Sequence, residues 1–134
     1  MLRVTETIRD SMVAEALERY PLEACGLLAG RPPDAAFAFY PCTNTTKSAR
    51  IYAIDPREHL RAELAAEDIG LEIIGVMHSH THTPAYPSPT DVAQAPDPGW
   101  HYVIVSLRDG DDPSVRSFRI VEGGIAEEPV RLEP

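Results

Sequence analysis

The chain has 134 residues, 43% hydrophobic and 25% charged, a size and balance that suit one compact core and fall short of the roughly 250 residues of an amidohydrolase barrel. A net charge of −9, with lysines and arginines scattered along the chain, excludes a phosphate-tracking nucleic-acid binder. No stretch approaches about 18 uninterrupted apolar residues, the first six residues carry no signal-peptide run, and the two cysteines, Cys25 and Cys42, form no Cys-x-x-Cys pair. The expectation is one cytoplasmic domain over residues 1–134, with reduced thiols and no membrane or nucleic-acid partner.

From Ile8, the apolar residues Ile8, Met12, Val13, Ala16, Leu17 and Tyr20 form the stripe of an amphipathic helix, with Thr7 and Asp10 as its cap and Pro21 as its stop. Residues 25–29 read as a buried strand ended by Gly30 and the Pro32-Pro33 pair, and 35–40 as its hairpin partner. Glu23 then sits at the entry to a core strand. Residues 51–54 form a short strand, after which Asp55 caps and Pro56 opens a helix reaching to about Gly70, with Leu60 and Leu64 facing inward. Residues 71–80 read as a central strand, and Gly75 in its middle marks a place where another backbone comes close. A loop punctuated by Pro84, Pro87 and Pro89 leads into a short helix over 90–95. Three strands follow, 102–107, 115–121 and 125–132, the last two joined at Gly123-Gly124. The sum is a mixed α/β or α+β domain on a curved sheet.

The stretch from His78 to Asp91 carries the chemistry. Side chains alternate along a strand, so His78 and His80 leave the same face with alpha carbons about 7 Å apart, close enough for both rings to reach one ion. The same holds for His80 and His82, and spacing alone does not choose between the pairs. Asp91 lies eleven residues beyond His80, in the first turn of the short helix, where a loop can fold its carboxylate back over the strand end. Ser88-x-x-Asp91 is also a capping box in form, a role compatible with metal binding. Two histidines and one carboxylate leave a fourth position open, the pattern of a catalytic zinc site. A base must still move the proton, and Glu23 is the candidate. Other His-x-His chemistries fail on the letters: a metallo-β-lactamase motif wants aspartate and histidine where His82 and Thr83 stand, and a cupin wants glutamate where Pro84 and Ala85 stand.

A glutamate far upstream, His-x-His, seven residues, serine, two residues and aspartate is the pattern of the JAMM (MPN-plus) metallopeptidases, and Glu23, His78, His80, Ser88 and Asp91 match it at every position. The chain closely resembles that family over essentially its whole length, including the segment Pro21-Leu22-Glu23-Ala24-Cys25-Gly26 around the glutamate. The resemblance implies an MPN domain, a curved sheet flanked by helices with cytidine-deaminase-like layering. It implies one Zn2+ per chain on His78, His80 and Asp91, with Glu23 as proton shuttle, Ser88 as hydrogen-bond donor to the oxyanion, and His82 as a loop residue near the site. Thr81 stands where many members have proline. The passages His78-Ser79-His80-Thr81, Ala85-Tyr86-Pro87-Ser88, His101-Tyr102-Val103, Arg116-Ser117-Phe118-Arg119-Ile120-Val121 and Glu127-Glu128-Pro129-Val130 look like the bacterial Mec-type subgroup. That likeness implies a substrate: a ubiquitin-like sulfur-carrier protein with a Gly-Gly C-terminus, from which cysteine is released. Residues 51–54 are the candidate strand for its tail. The alternatives are an isopeptidase acting on lysine side chains and a noncatalytic MPN scaffold. Nothing in the sequence sets an oligomeric state.

Overall fold

A computed structural model describes residues 1–134. A short strand β1 (Leu2–Thr5) precedes helix α1 (Glu6–Arg19), and Thr5, not Thr7, is the cap, its hydroxyl accepting from the Ile8 N–H at 3.1 Å. The hairpin expected next is present and longer than its apolar letters suggest: β2 (Cys25–Arg31) runs through Gly30, and β3 (Ala35–Cys42) runs through Pro41. A Cβ at Gly30 would lie 1.8 Å from the Ala35 carbonyl oxygen, so glycine continues this strand where it was read as ending it.

Residues 51–54 are not a strand. Only an isolated bridge joins Ile54 to Asn44, and the segment is held through the Asn44 side chain instead of a ladder. Helix α2 (Pro56–Asp68) has the expected Asp55 cap and Pro56 start, but its inward face is Ala62 and Ala66, 4% and 0% exposed. Leu60 and Leu64, expected inside, are 56% and 53% exposed, because a two-residue offset at 3.6 residues per turn turns a side chain to the opposite face.

Strand β4 (Glu72–His80) lies at the centre, antiparallel to β2 and parallel to β5 (His101–Ser106). Gly75 meets its expectation, since a Cβ there would sit 2.5 Å from the His101 carbonyl oxygen. A bulge places Gly75 opposite Leu28 but Ile73 opposite Ala29, leaving Ile74 as the extra residue. That extra residue resets the alternation. Ile73 and Val76 pack in the α2-side core, Ile74 and Met77 in the α1-side core, and His78 and His80 follow Val76.

After helix α3 (Pro89–Ala93) and β5 come β6 (Ser114–Val121), β7 (Gly124–Glu128) and β8 (Val130–Glu133). The last two were expected as one strand. Pro129 divides them, and β8 leaves the meander to pair in parallel with β1. The sheet order is β7-β6-β5-β4-β2-β3-β1-β8, so its two edges are strands one residue apart in the chain. The sheet must therefore curl strongly, with α1 packed in one core and α2 in the other. No helix is long and apolar enough to cross a membrane.

Candidate metal centre

His78 and His80 end β4, and both are buried, at 2% and 5% exposure. Asp91 reaches them from the first turn of α3. The capping box puts it there: the Asp91 N–H donates to Ser88 Oγ at 3.1 Å, and the Ser88 N–H donates to Asp91 Oδ2 at 2.8 Å. Capping and convergence on the histidines are thus the work of one carboxylate. His78 Nε2 and His80 Nε2 are 3.2 Å apart, and each lies 3.1 Å from Asp91 Oδ2.

That near-equilateral triangle tests the site for a metal. Tetrahedral zinc with bonds of about 2.0–2.1 Å has ligand-to-ligand edges of about 3.3–3.4 Å, close to the triangle's. His80 Nδ1 lies 2.8 Å from the Pro84 carbonyl, to which it donates, so neutral His80 presents a lone pair at Nε2. A cation is what satisfies two ring nitrogens aimed at each other and at one carboxylate oxygen. The three residues fit a catalytic zinc ion, with a fourth position free.

Burial alone would raise the Asp91 carboxyl, but hydrogen bonds from His78, His80 and the Ser88 backbone hold it well below the ordinary carboxylate range. Burial lowers His78, whereas for His80 the Asp91 and Pro84 contacts outweigh burial and raise it. The His78 ring stacks on Tyr52 at 4.5 Å, and its Nδ1 has no hydrogen-bond partner. Tyr52 also walls a cavity of about 280 Å³ shared with Ile54, Val76, Pro96 and Trp100.

Glu23 is 3% exposed just ahead of β2, whose first residue, Cys25, pairs with His78. Burial pushes its carboxyl up to about 7, with His80 pulling down and Asp91 pushing up, and Oε1 has no partner. Ser79, between the two histidines, is fully buried on the other face and binds Ala24 twice, as acceptor through Oγ at 2.7 Å and as donor through N–H at 3.0 Å. The glutamate segment and the histidine strand are therefore locked in register. Ser88 uses its oxygen to accept from Asp91, leaving its O–H free to donate. His82 is exposed and off the triangle, with Nε2 3.1 Å from the Tyr20 hydroxyl and Nδ1 2.9 Å from Thr81 Oγ1. Of the two histidine pairs that spacing allowed, only His78 and His80 converge with Asp91.

Sequence reasoning missed Tyr52 and Ser79 as parts of the site. The position of Ser79 between two histidines on a strand implies the opposite face, which was a usable signal; the stacking of Tyr52 has none.

A family model described as prokaryotic homologs of the JAB domain matches residues 5–121. The CysO-cysteine peptidase of Mycobacterium tuberculosis is 42% identical over 133 residues, spanning 98% of this chain and 91% of that one. A desampylase of Haloferax volcanii is 36% identical over 112 residues, 78% of this chain and 80% of that one. Among solved structures, the solution structure of a protein from Desulfitobacterium hafniense superposes with a TM-score of 0.92 at 38% identity, over 99% of this chain and 93% of that one. With a matched model over most of its length, and a relative 42% identical over 98% of it, the chain belongs to the JAB-domain (JAMM) family, on its prokaryotic branch.

Proposed function

We propose that this chain is a zinc peptidase that hydrolyses the amide bond after the C-terminal Gly-Gly of a ubiquitin-like sulfur-carrier protein and releases cysteine. The observation that carries the chemistry is the triangle of His78, His80 and Asp91 with a buried, unpartnered Glu23 carboxylate nearby. The substrate class rests on the 42% identity to a CysO-cysteine peptidase. His78, His80 and Asp91 would hold one Zn2+ per chain, which would supply Lewis-acid chemistry, polarising a carbonyl and acidifying water towards a pKa of about 7.

Glu23 moves the protons. As a carboxylate it takes one from the attacking water, and as an acid it gives one to the leaving amine as the carbon–nitrogen bond breaks. Burial, the largest influence on this carboxyl, favours its holding a proton, which suits a group that must both take and return one. The Ser88 O–H, spared by the capping geometry, donates to the developing oxyanion. No side chain forms a covalent bond to the acyl group. Tyr52, which stacks on His78, also lines a cavity of about 280 Å³ with Ile54 and Trp100, and that cavity is the candidate place for the carrier tail. The whole chain acts as a single domain, and its place of work is the cytoplasm.

The test is mass spectrometry of a Gly-Gly-ended carrier bearing C-terminal cysteine, incubated with the protein with and without chelator, beside Glu23→Gln. Chelator-sensitive loss of one cysteine, abolished in Glu23→Gln with zinc retained, is the expected result. An intact adduct alongside cleavage of a lysine-linked conjugate would replace the substrate by a ubiquitin-like protein joined to a lysine side chain.

A further inference from the structure

The Glu23 side chain is buried, and its Oε1 has no hydrogen-bond partner. A carboxylate that must accept and return a proton loses basicity when donors tie it down, so it has to be aimed from its backbone. In this chain the four backbone polar groups of Glu23 and Ala24 are all taken before β2 begins. The Glu23 N–H donates to the Ser48 carbonyl at 2.8 Å, and Ser79 occupies both groups of Ala24. The Glu23 carbonyl is taken by a side chain from elsewhere, Asn44, whose Nδ2 donates to it at 3.1 Å.

Asn44 lies just beyond β3 and is 8% exposed. The same amide donates to the Ile51 carbonyl at 3.0 Å, and its Oδ1 accepts from the Thr46 hydroxyl at 2.6 Å and the Ala53 N–H at 3.2 Å. Asparagine is the smallest side chain that offers two N–H donors and a carbonyl acceptor side by side on one carbon, which is what this junction consumes. It joins the carbonyl of Glu23 to the irregular segment that carries Tyr52, the residue stacked on His78.

Resting on the functional reading above, we propose that Asn44 is a positioning residue for the reaction: it acts through Glu23, fixing the backbone from which the proton-shuttling carboxylate is aimed. Asn44→Ala removes the junction. Asn44→Asp keeps the loop contacts accepted by Oδ1 while giving up the donors to Glu23, Ser48 and Ile51; it decides the question if the alanine variant does not fold.

Amide hydrogen exchange at Glu23, whose acceptor, the Ser48 carbonyl, also takes a contact from Asn44 Nδ2 at 3.4 Å, should quicken by about tenfold or more in both variants, with exchange in the middle of α1 unchanged. In turnover, kcat should fall about 10- to 100-fold with KM within about twofold, zinc content staying as in wild type. In a Glu23→Gln background the same substitutions should cost nothing further, because the group they aim is already gone. Thr46→Val, which removes one loop contact to Asn44 and none to Glu23, should keep kcat within about threefold. Equal fractional losses with and without Glu23, a Thr46→Val loss as large as that of Asn44→Ala, or unchanged exchange at Glu23 would each overturn the proposal. The exchange measurement uses no substrate. A wild type that leaves every adduct intact therefore refutes the functional reading, while exchange still decides whether Asn44 holds Glu23.

Discussion

His78, His80 and His82 are three histidines at alternate positions, and only their surroundings distinguish them. His80 has Nδ1 spent on Pro84 and Nε2 turned to the triangle, whereas His82 is exposed and spends its nitrogens on Tyr20 and Thr81. Zinc content by elemental analysis should therefore fall to background in His80→Ala and stay near the wild-type level in His82→Ala. Loss of metal in His82→Ala, with retention in His78→Ala, would move the site to the other pair. Part of this was legible in the letters. Strand alternation puts His78 and His80 on one face, and the Ser88-Asp91 spacing puts a carboxylate in a helix's first turn, both local facts. The nearness of Glu23 was not, because it depends on the antiparallel pairing of Cys25 with His78 and on the hold of Ser79 on Ala24, contacts between segments more than fifty residues apart. Only the family pattern pointed to it.

Helix α2 shows where the element scale defeats a hydrophobicity reading. Its leucines look like the buried stripe, yet the sheet takes the alanines, because small side chains let the helix axis settle close to β2, β3 and β4. Leu60 and Leu64 are left more than half exposed on the outer face. Replacing both leucines with glutamine should leave urea-unfolding stability within about 0.5 kcal/mol, as for other surface changes. Ala66→Leu, which puts a large side chain where exposure is 0%, should cost about 1–3 kcal/mol by overpacking. The opposite ranking would put the leucines in the core. The caps of α2 and α3 were legible because Asp55-Pro56 and Ser88-x-x-Asp91 act within one turn. The bulge at Ile74 was not, since the letters around it make an unbroken apolar run, and a bulge exists only in relation to the partner strand.

Across the whole molecule the curl of the sheet brings remote strands onto one buried polar cluster. Glu128, the last residue of β7, takes a hydrogen bond from His101 of β5 at 2.7 Å and one from Ser117 of β6 at 2.8 Å, and the Met1 ammonium lies 3.0 Å from it. The other ring nitrogen of His101 is 2.7 Å from the carbonyl of Pro33, in the loop between β2 and β3. One carboxylate thus gathers elements from both halves of the sheet. Burial alone would raise Glu128, but the bonds from His101, the N-terminal ammonium and Ser117 outweigh it and pull the carboxyl down to about 2. A carboxyl lower in the folded than in the unfolded chain binds fewer protons when folded. Its stabilisation is complete above about pH 4.5 and drains away as pH falls towards about 2. Glu128→Gln, which keeps the shape and removes the charge, should therefore cost about 2–3 kcal/mol in urea unfolding at pH 7. The gap between variant and wild type should narrow steadily below about pH 4.5, since protonation does to the wild type what the substitution has already done to the variant. A gap that stays constant down to pH 3 would mean that Glu128 acts by packing and not by charge, and the joining of the curled sheet would then have to come from the β1–β8 ladder alone.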